Sequence, residues 1–163
     1  MKHRAFTMIE VMLSLAILAI ACALLIPMSG STTLARADAA ARILRADIEY
    51  AQVRTIAHPG DPVILVVTED GRGWWIARSS DPGKPMPHET TGEPYEVNLG
   101  EGRASMSTGV EVTSSGLQGR MLRFDSLGGL HGHVADPVLS LRCDSSEVRL
   151  TVHASTGFIE IGN

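Results

Sequence analysis

From Phe6 to Met28 the chain carries a single charge, Glu10, and this apolar run follows a short basic leader, Met1-Lys2-His3-Arg4-Ala5. As a helix, its roughly 23 positions would rise about 34 Å, against a hydrocarbon core of about 30 Å. The run is therefore expected to span a bilayer once. Lys2 and Arg4 precede it, and the positive-inside rule keeps that end cytoplasmic and sends the remainder of the chain across the membrane. A carboxylate at that depth costs roughly 2.5–3.5 kcal/mol on insertion scales, so Glu10 requires a cationic partner.

Such an N-terminus has three processing fates. A secretory signal would use Ala35-Arg36-Ala37 as its small-residue cleavage site, but its apolar region is ordinarily shorter and uncharged. An uncleaved anchor leaves Glu10 unexplained. The segment Arg4-Ala5-Phe6-Thr7-Met8-Ile9-Glu10-Val11-Met12-Leu13 resembles the class III leader of type IV pilins and type II secretion pseudopilins. That resemblance implies cleavage between Ala5 and Phe6 by a prepilin peptidase and N-methylation of Phe6. The apolar run would then stay in the mature protein. It also implies that Glu10 directs subunit assembly by meeting the N-terminal ammonium of a neighbouring subunit, each buried charge offsetting the other's desolvation. The residue before the cut is usually Gly in that family and is Ala5 here. Pro27 is either the helix-weakening proline of many pilin-like proteins or the end of the membrane helix before Ser29-Gly30-Ser31.

Beyond the run, Leu34, Ala37, Ala41, Leu44, Ile48 and Ala51 recur at spacings of three and four. Arg36, Asp38, Arg42, Arg45, Glu49 and Gln52 take the other faces, and His58-Pro59-Gly60 stops the pattern. From Pro62 the period becomes that of strands. Val63–Thr68 and Trp74–Ile76 are expected to pair across an Asp70-Gly71 turn. Further strands are expected at Tyr95–Leu99, Val110–Thr113, Met121–Asp125, Val138–Arg142, Val148–His153 and Phe158–Ile161. Ser79 to Pro94, rich in proline, reads as a surface loop. The expected fold is α+β and pilin-like, a long N-terminal helix packed on an antiparallel β-sheet domain. Its boundaries are a leader over 1–5, a transmembrane helix over 6–28, an amphipathic helix continuing it over 29–60, and a periplasmic β domain over 61–163.

About 130 residues outside the membrane suffice for one core. Setting aside Lys2, Arg4 and Glu10, the 18 acidic and 14 basic side chains become 17 and 12, a net charge of −5, which argues against a nucleic-acid partner. His131-Gly132-His133 lacks further ligands at metal spacing, and Asp125, Ser126 and His153 lack a nucleophile elbow, so neither metal, cofactor nor catalysis is expected. Asp144-Ser145-Ser146-Glu147 reads as a β-turn. Cys22 in the membrane run and Cys143 in the β domain are expected not to pair, with Cys143 buried. Phe124 and the inner of Trp74 and Trp75 belong to the expected core, whereas the outer Trp is a candidate contact with a neighbouring subunit.

The tail adds a second resemblance. Met121-Leu122-Arg123-Phe124-Asp125-Ser126-Leu127-Gly128-Gly129, the strand Glu147 to His153, and Ser155-Thr156-Gly157-Phe158-Ile159 are similar to the C-terminal β region of H-type minor pseudopilins and fimbrial T-type minor pilins. The implied protein is a non-enzymatic minor pseudopilin of a type II secretion system. It would sit single-pass in the inner membrane, join a pseudopilus, and meet other major and minor pseudopilins, the prepilin peptidase and an inner-membrane assembly platform. The alternatives are a minor pilin of a type IV pilus or DNA-uptake filament, and a membrane-anchored periplasmic enzyme or ligand-binding domain.

Overall fold

The computed structural model describes residues 8–25, 29–132 and 135–162. The chain divides into two compact units, Met1–Thr32 and Thr33–Asn163. The first contains helix α1 (Met8–Leu25), and helix α2 (Ser29–Ala57) runs into the second. Among the described residues no helix is long and apolar enough to cross a membrane. The span expected over 6–28 also takes in Phe6, Thr7 and 26–28, which lie outside the described residues, as does Pro27.

Helix α2 buries a narrow stripe of small side chains, with Ala37, Ala40, Ala41, Leu44, Ile48 and Ala51 all at 0% exposure. Leu34, expected in that stripe, is exposed, so the buried face begins a turn later. On the outer side Arg42 pairs with Asp38 at 2.8 Å and Arg45 with Glu49 at 2.7 Å, each one turn apart. Pro59 cannot extend the ladder, and the N–H of His58 closes the helix on Arg54 O.

Two antiparallel sheets share that core. In the first, β1 (Val63–Val67) pairs on one edge with β2 (Gly73–Arg78) and on the other with β6 (Met121–Arg123). The free edge of β2 carries β3 (Asp81–Pro85) and β4 (Glu96–Asn98). The second sheet runs β5 (Glu111–Ser115), β7 (Val138–Cys143), β8 (Ser146–Val152), β9 (Ile159–Gly162). Since β6 returns to the first sheet between β5 and β7, the chain laces the sheets together. Alternation places Val63, Leu65, Val67, Trp74, Ile76 and Leu122 from one sheet, and Leu139, Leu141, Val148, Leu150 and Val152 from the other, in one cluster with the α2 stripe. Phe124 and Cys143 are buried there as expected.

The segment Ser79–Pro94 differs from its expectation as a loop. It contains β3, placed where prolines do least harm: an outer strand need not donate every N–H, and a bulge between Ala77 and Arg78 absorbs the irregular register. A 3-10 segment, Gly102–Ser107, also escaped sequence analysis. Trp75, the outer tryptophan, lies partly buried over Ile64, Val66 and Ala77, and its Nε1 donates to Pro82 O at 3.0 Å. That ring covers its own sheet.

The Asp70-Gly71 turn joins the sheets as well as the strands. Gly71 has φ +68°, its carbonyl accepts the N–H of Val112 on β5 at 2.8 Å, and a Cβ there would stand 2.6 Å from Val112 O. Gly92 has φ +73° but nothing within 4 Å. Gly71→Ala should therefore lower stability by roughly 2–3 kcal/mol through strain plus collision, while Gly92→Ala should cost about 1 kcal/mol. Urea unfolding of the two variants checks this; equal losses would mean the turn does not bear on β5.

Candidate functional site

In α1 every described side chain, from Met8 to Ile20, is exposed, including Met8 at 84%, Ile9 at 77% and Met12 at 67%. A helix apolar around its whole circumference is stable only in apolar surroundings, whether lipid or other helices. Glu10 lies in the first turn, where the amide dipoles favour a carboxylate. Ser14, the other polar side chain nearby, donates to Glu10 O at 2.8 Å and so needs no external partner. Surroundings that satisfy the leucines and isoleucines remove Glu10 from water, and its charge then demands a cation. Ala5 and Phe6 lie outside the described residues.

The second unit holds a carboxylate in the opposite condition. Asp47 is 1% exposed on the buried face of α2, and all its partners are internal. Trp74 Nε1 donates to Oδ2 at 2.7 Å and the Tyr95 hydroxyl to Oδ1 at 3.0 Å. Arg103 closes a bidentate fork, Nη1 to Oδ1 at 2.9 Å and Nη2 to Oδ2 at 2.5 Å. The guanidinium also stands 5.2 Å from the centre of the Tyr95 ring, which stacks on Tyr50 at 5.2 Å and meets His88 in a tilted contact at 4.9 Å. One acidic side chain thus fastens α2, β2, the residue just before β4 and the 3-10 segment together. The one trace of it in the sequence is position: Asp47 falls three residues after Leu44 and four before Ala51, a charge inside the apolar stripe.

Further along α2, the Gln52 amide donates to Gly128 O at 2.8 Å and Thr156 O at 3.0 Å, tying both tail turns to the helix. Gly157, at φ +67°, allows that approach, since a Cβ there would collide with Gly128 O. Asp125 organises its own turn, with Oδ1 accepting the N–H groups of Leu127 at 2.8 Å and Gly129 at 3.0 Å. His153 faces Asp136 (3.0 Å) and Glu160 (3.5 Å), so Asp125, Ser126 and His153 are not assembled as a triad. The N–H of Ala154 and then the His153 ring hold the Asp136 carboxyl below its ordinary range. His131 is exposed, and His133 lies outside the described residues. Asp144 and Ser145 form a two-residue hairpin loop with Asp144 at φ +51°, the turn expected there.

Residues 1–26 match the prokaryotic N-terminal methylation motif. This is a type IV pilin-like prepilin signal, which implies processing by a prepilin peptidase and assembly into a pilus-like filament. The matched residues include Ala5, Phe6 and Glu10, and run through α1. No curated protein and no solved structure matches the chain.

Burial, then the Asp47 charge, pushes the Tyr95 phenol up to about 12, and burial raises Tyr50 in the same direction. A phenol raised in the folded state contributes stability that is complete below its unfolded value near 10 and is lost as pH climbs towards 12. Phenolate absorbance of the native protein should therefore rise only above pH 10, with the Tyr95 step moving down in Asp47→Asn. An ordinary titration of both tyrosines near pH 10 in the native state would contradict the network.

Proposed function

We propose that the protein is an H-type minor pseudopilin of a type II secretion pseudopilus, and that it acts by assembly and catalyses nothing. The observation that carries this reading is the methylation motif over residues 1–26 with the all-round apolar α1 inside it. Prepilin peptidase would cut between Ala5 and Phe6, and the new N-terminus on Phe6 would be methylated. The retained helix would hold the protein single-pass in the inner membrane, with the β domain in the periplasm.

Assembly follows from the energetics of Glu10. In an apolar bundle of helices its carboxylate is costly alone, and the ammonium of a neighbour's first residue is a cation at matching depth. The pairing sets the register of each incoming subunit. Other pseudopilins supply the neighbours, and an inner-membrane platform supplies the place of assembly. The tail from Met121 to Ile159 resembles both H-type minor pseudopilins and fimbrial T-type minor pilins and favours an H-type subunit over the major pseudopilin; a minor pilin of a type IV pilus or DNA-uptake filament is the alternative and would use the same helix and the same carboxylate. The acidic balance of the chain also speaks against a role in holding DNA.

Glu10→Gln keeps the shape of the side chain and removes its charge. The variant should insert and be processed normally, yet its crosslinking into filaments in intact cells should fall at least roughly tenfold, the equivalent of about 1.4 kcal/mol of lost pairing. Incorporation equal to that of the unaltered protein would refute the role of Glu10.

A further inference from the structure

Arginines that form no ion pair among the described residues are Arg36, Arg72, Arg123 and Arg142, and of these only Arg123 is not fully exposed. It sits on β6 directly across from Ile64, on the outer face of the first sheet, with Nη2 3.6 Å from the thioether of Met121. A thioether is a weak acceptor and leaves the guanidinium's remaining donors free for a stronger one. Arg123 and His131 together line a cleft of about 400 Å³ whose walls include Pro59, Pro62, Ile64 and Phe124. His131 is held beside Arg123 by its backbone N–H, which donates to Arg123 O at 2.8 Å. Asp125 also borders the cleft, but it forms no ion pair with Arg123, and its Oδ1 is engaged by two backbone N–H groups.

We propose that this cleft is a docking site for an acidic segment of a partner protein, with an Asp or Glu carboxylate on Arg123 and the adjoining apolar residue against Pro59 and Pro62, the apolar lining residues that are open to solvent. Charge complementarity selects the occupant: a partly buried guanidinium without a carboxylate is a fork shaped for one, and in a half-apolar cleft that contact gains over its value in water. The apolar wall favours a polypeptide over a bare anion. The net charge of −4 disfavours a nucleic acid, whose many phosphates would meet the acidic surplus around a single arginine. This inference concerns the second unit alone, so its failure would leave the reading of residues 1–26 in place, and the reverse also holds.

The test uses the full chain in a neutral maltoside detergent and two labelled peptides, one with glutamate between two leucines and a twin with glutamine there. The glutamate peptide should bind at least roughly tenfold more tightly by fluorescence anisotropy, a difference of about 1.4 kcal/mol. Arg123→Gln should erase that preference, Arg123→Lys should retain part of it, and Arg72→Gln on the exposed β1–β2 turn should leave it intact. Circular dichroism confirms that each variant is folded, and the comparison of the two peptides on the unaltered protein stands without any variant. Equal binding of the two peptides, or a preference surviving Arg123→Gln, would overturn the proposal. So would displacement of the peptide by inorganic phosphate at equal ionic strength, or tighter binding of a short DNA duplex through Arg123.

Discussion

A carboxylate withdrawn from water must be met by a cation and by donors to its remaining lone pairs, and the second unit is arranged around one such group. Asp47 points from the alanine-rich face of α2 into the junction of β2, the residue before β4 and the 3-10 segment, and it takes donors from Trp74 on β2, from Tyr95 just ahead of β4 and from Arg103 in the 3-10 segment. The small side chains beside it let the helix lie close to the sheet, which brings Trp74 and Tyr95 within reach. Removing Arg103 would leave the buried carboxylate without its cation, whereas the Arg103 side chain, 45% exposed, keeps contact with water. A pair of this kind fixes position more than it adds stability, because desolvation consumes much of the Coulombic gain.

Glu10 presents the same requirement, and among the described residues it forms no ion pair. Its helix is apolar all round, and every described neighbour on α1 is exposed. Asp47 recruits Arg103 from 56 residues away in the same chain, whereas the cation proposed for Glu10 is the amino terminus of another subunit. That contrast separates a buried carboxylate answered within the second unit from one whose proposed partner lies on another molecule. The methylation motif over residues 1–26 implies processing by a prepilin peptidase, and the cut proposed before Phe6 would create an amino terminus close to Glu10 in sequence.

The strands were legible because turn chemistry announces them: Asp70-Gly71, Asp144-Ser145 and the glycines before β6 each interrupt a period-two pattern. The helix was legible from its stripe and from His58-Pro59-Gly60. Other features were hidden for physical reasons. β3 contains two prolines, which ordinarily exclude a strand and are tolerated there only because it lies on an edge. The 3-10 segment has no periodicity to read. The partners of Asp47 are 27, 48 and 56 residues away, so only the misplaced charge within the stripe hinted at them. Gln52, placed among the solvent-facing residues by its polarity, turned out to clamp both tail turns through two carbonyls. Of the residues proposed to act, Glu10 was visible as a charge where none belongs, whereas Arg123 looked like one arginine among many until its surroundings were known.

The central claim is that residues 6–28 remain in the working protein, with a free, methylated amine at the head of the helix. Intact-mass spectrometry of protein extracted from membranes measures this directly. The account predicts a mass for a chain beginning at Phe6 and carrying one added methyl group. A mass corresponding to a chain beginning at Asp38, after the Ala35-Arg36-Ala37 site, would contradict it, because neither the apolar helix nor Glu10 would then survive to meet a neighbour.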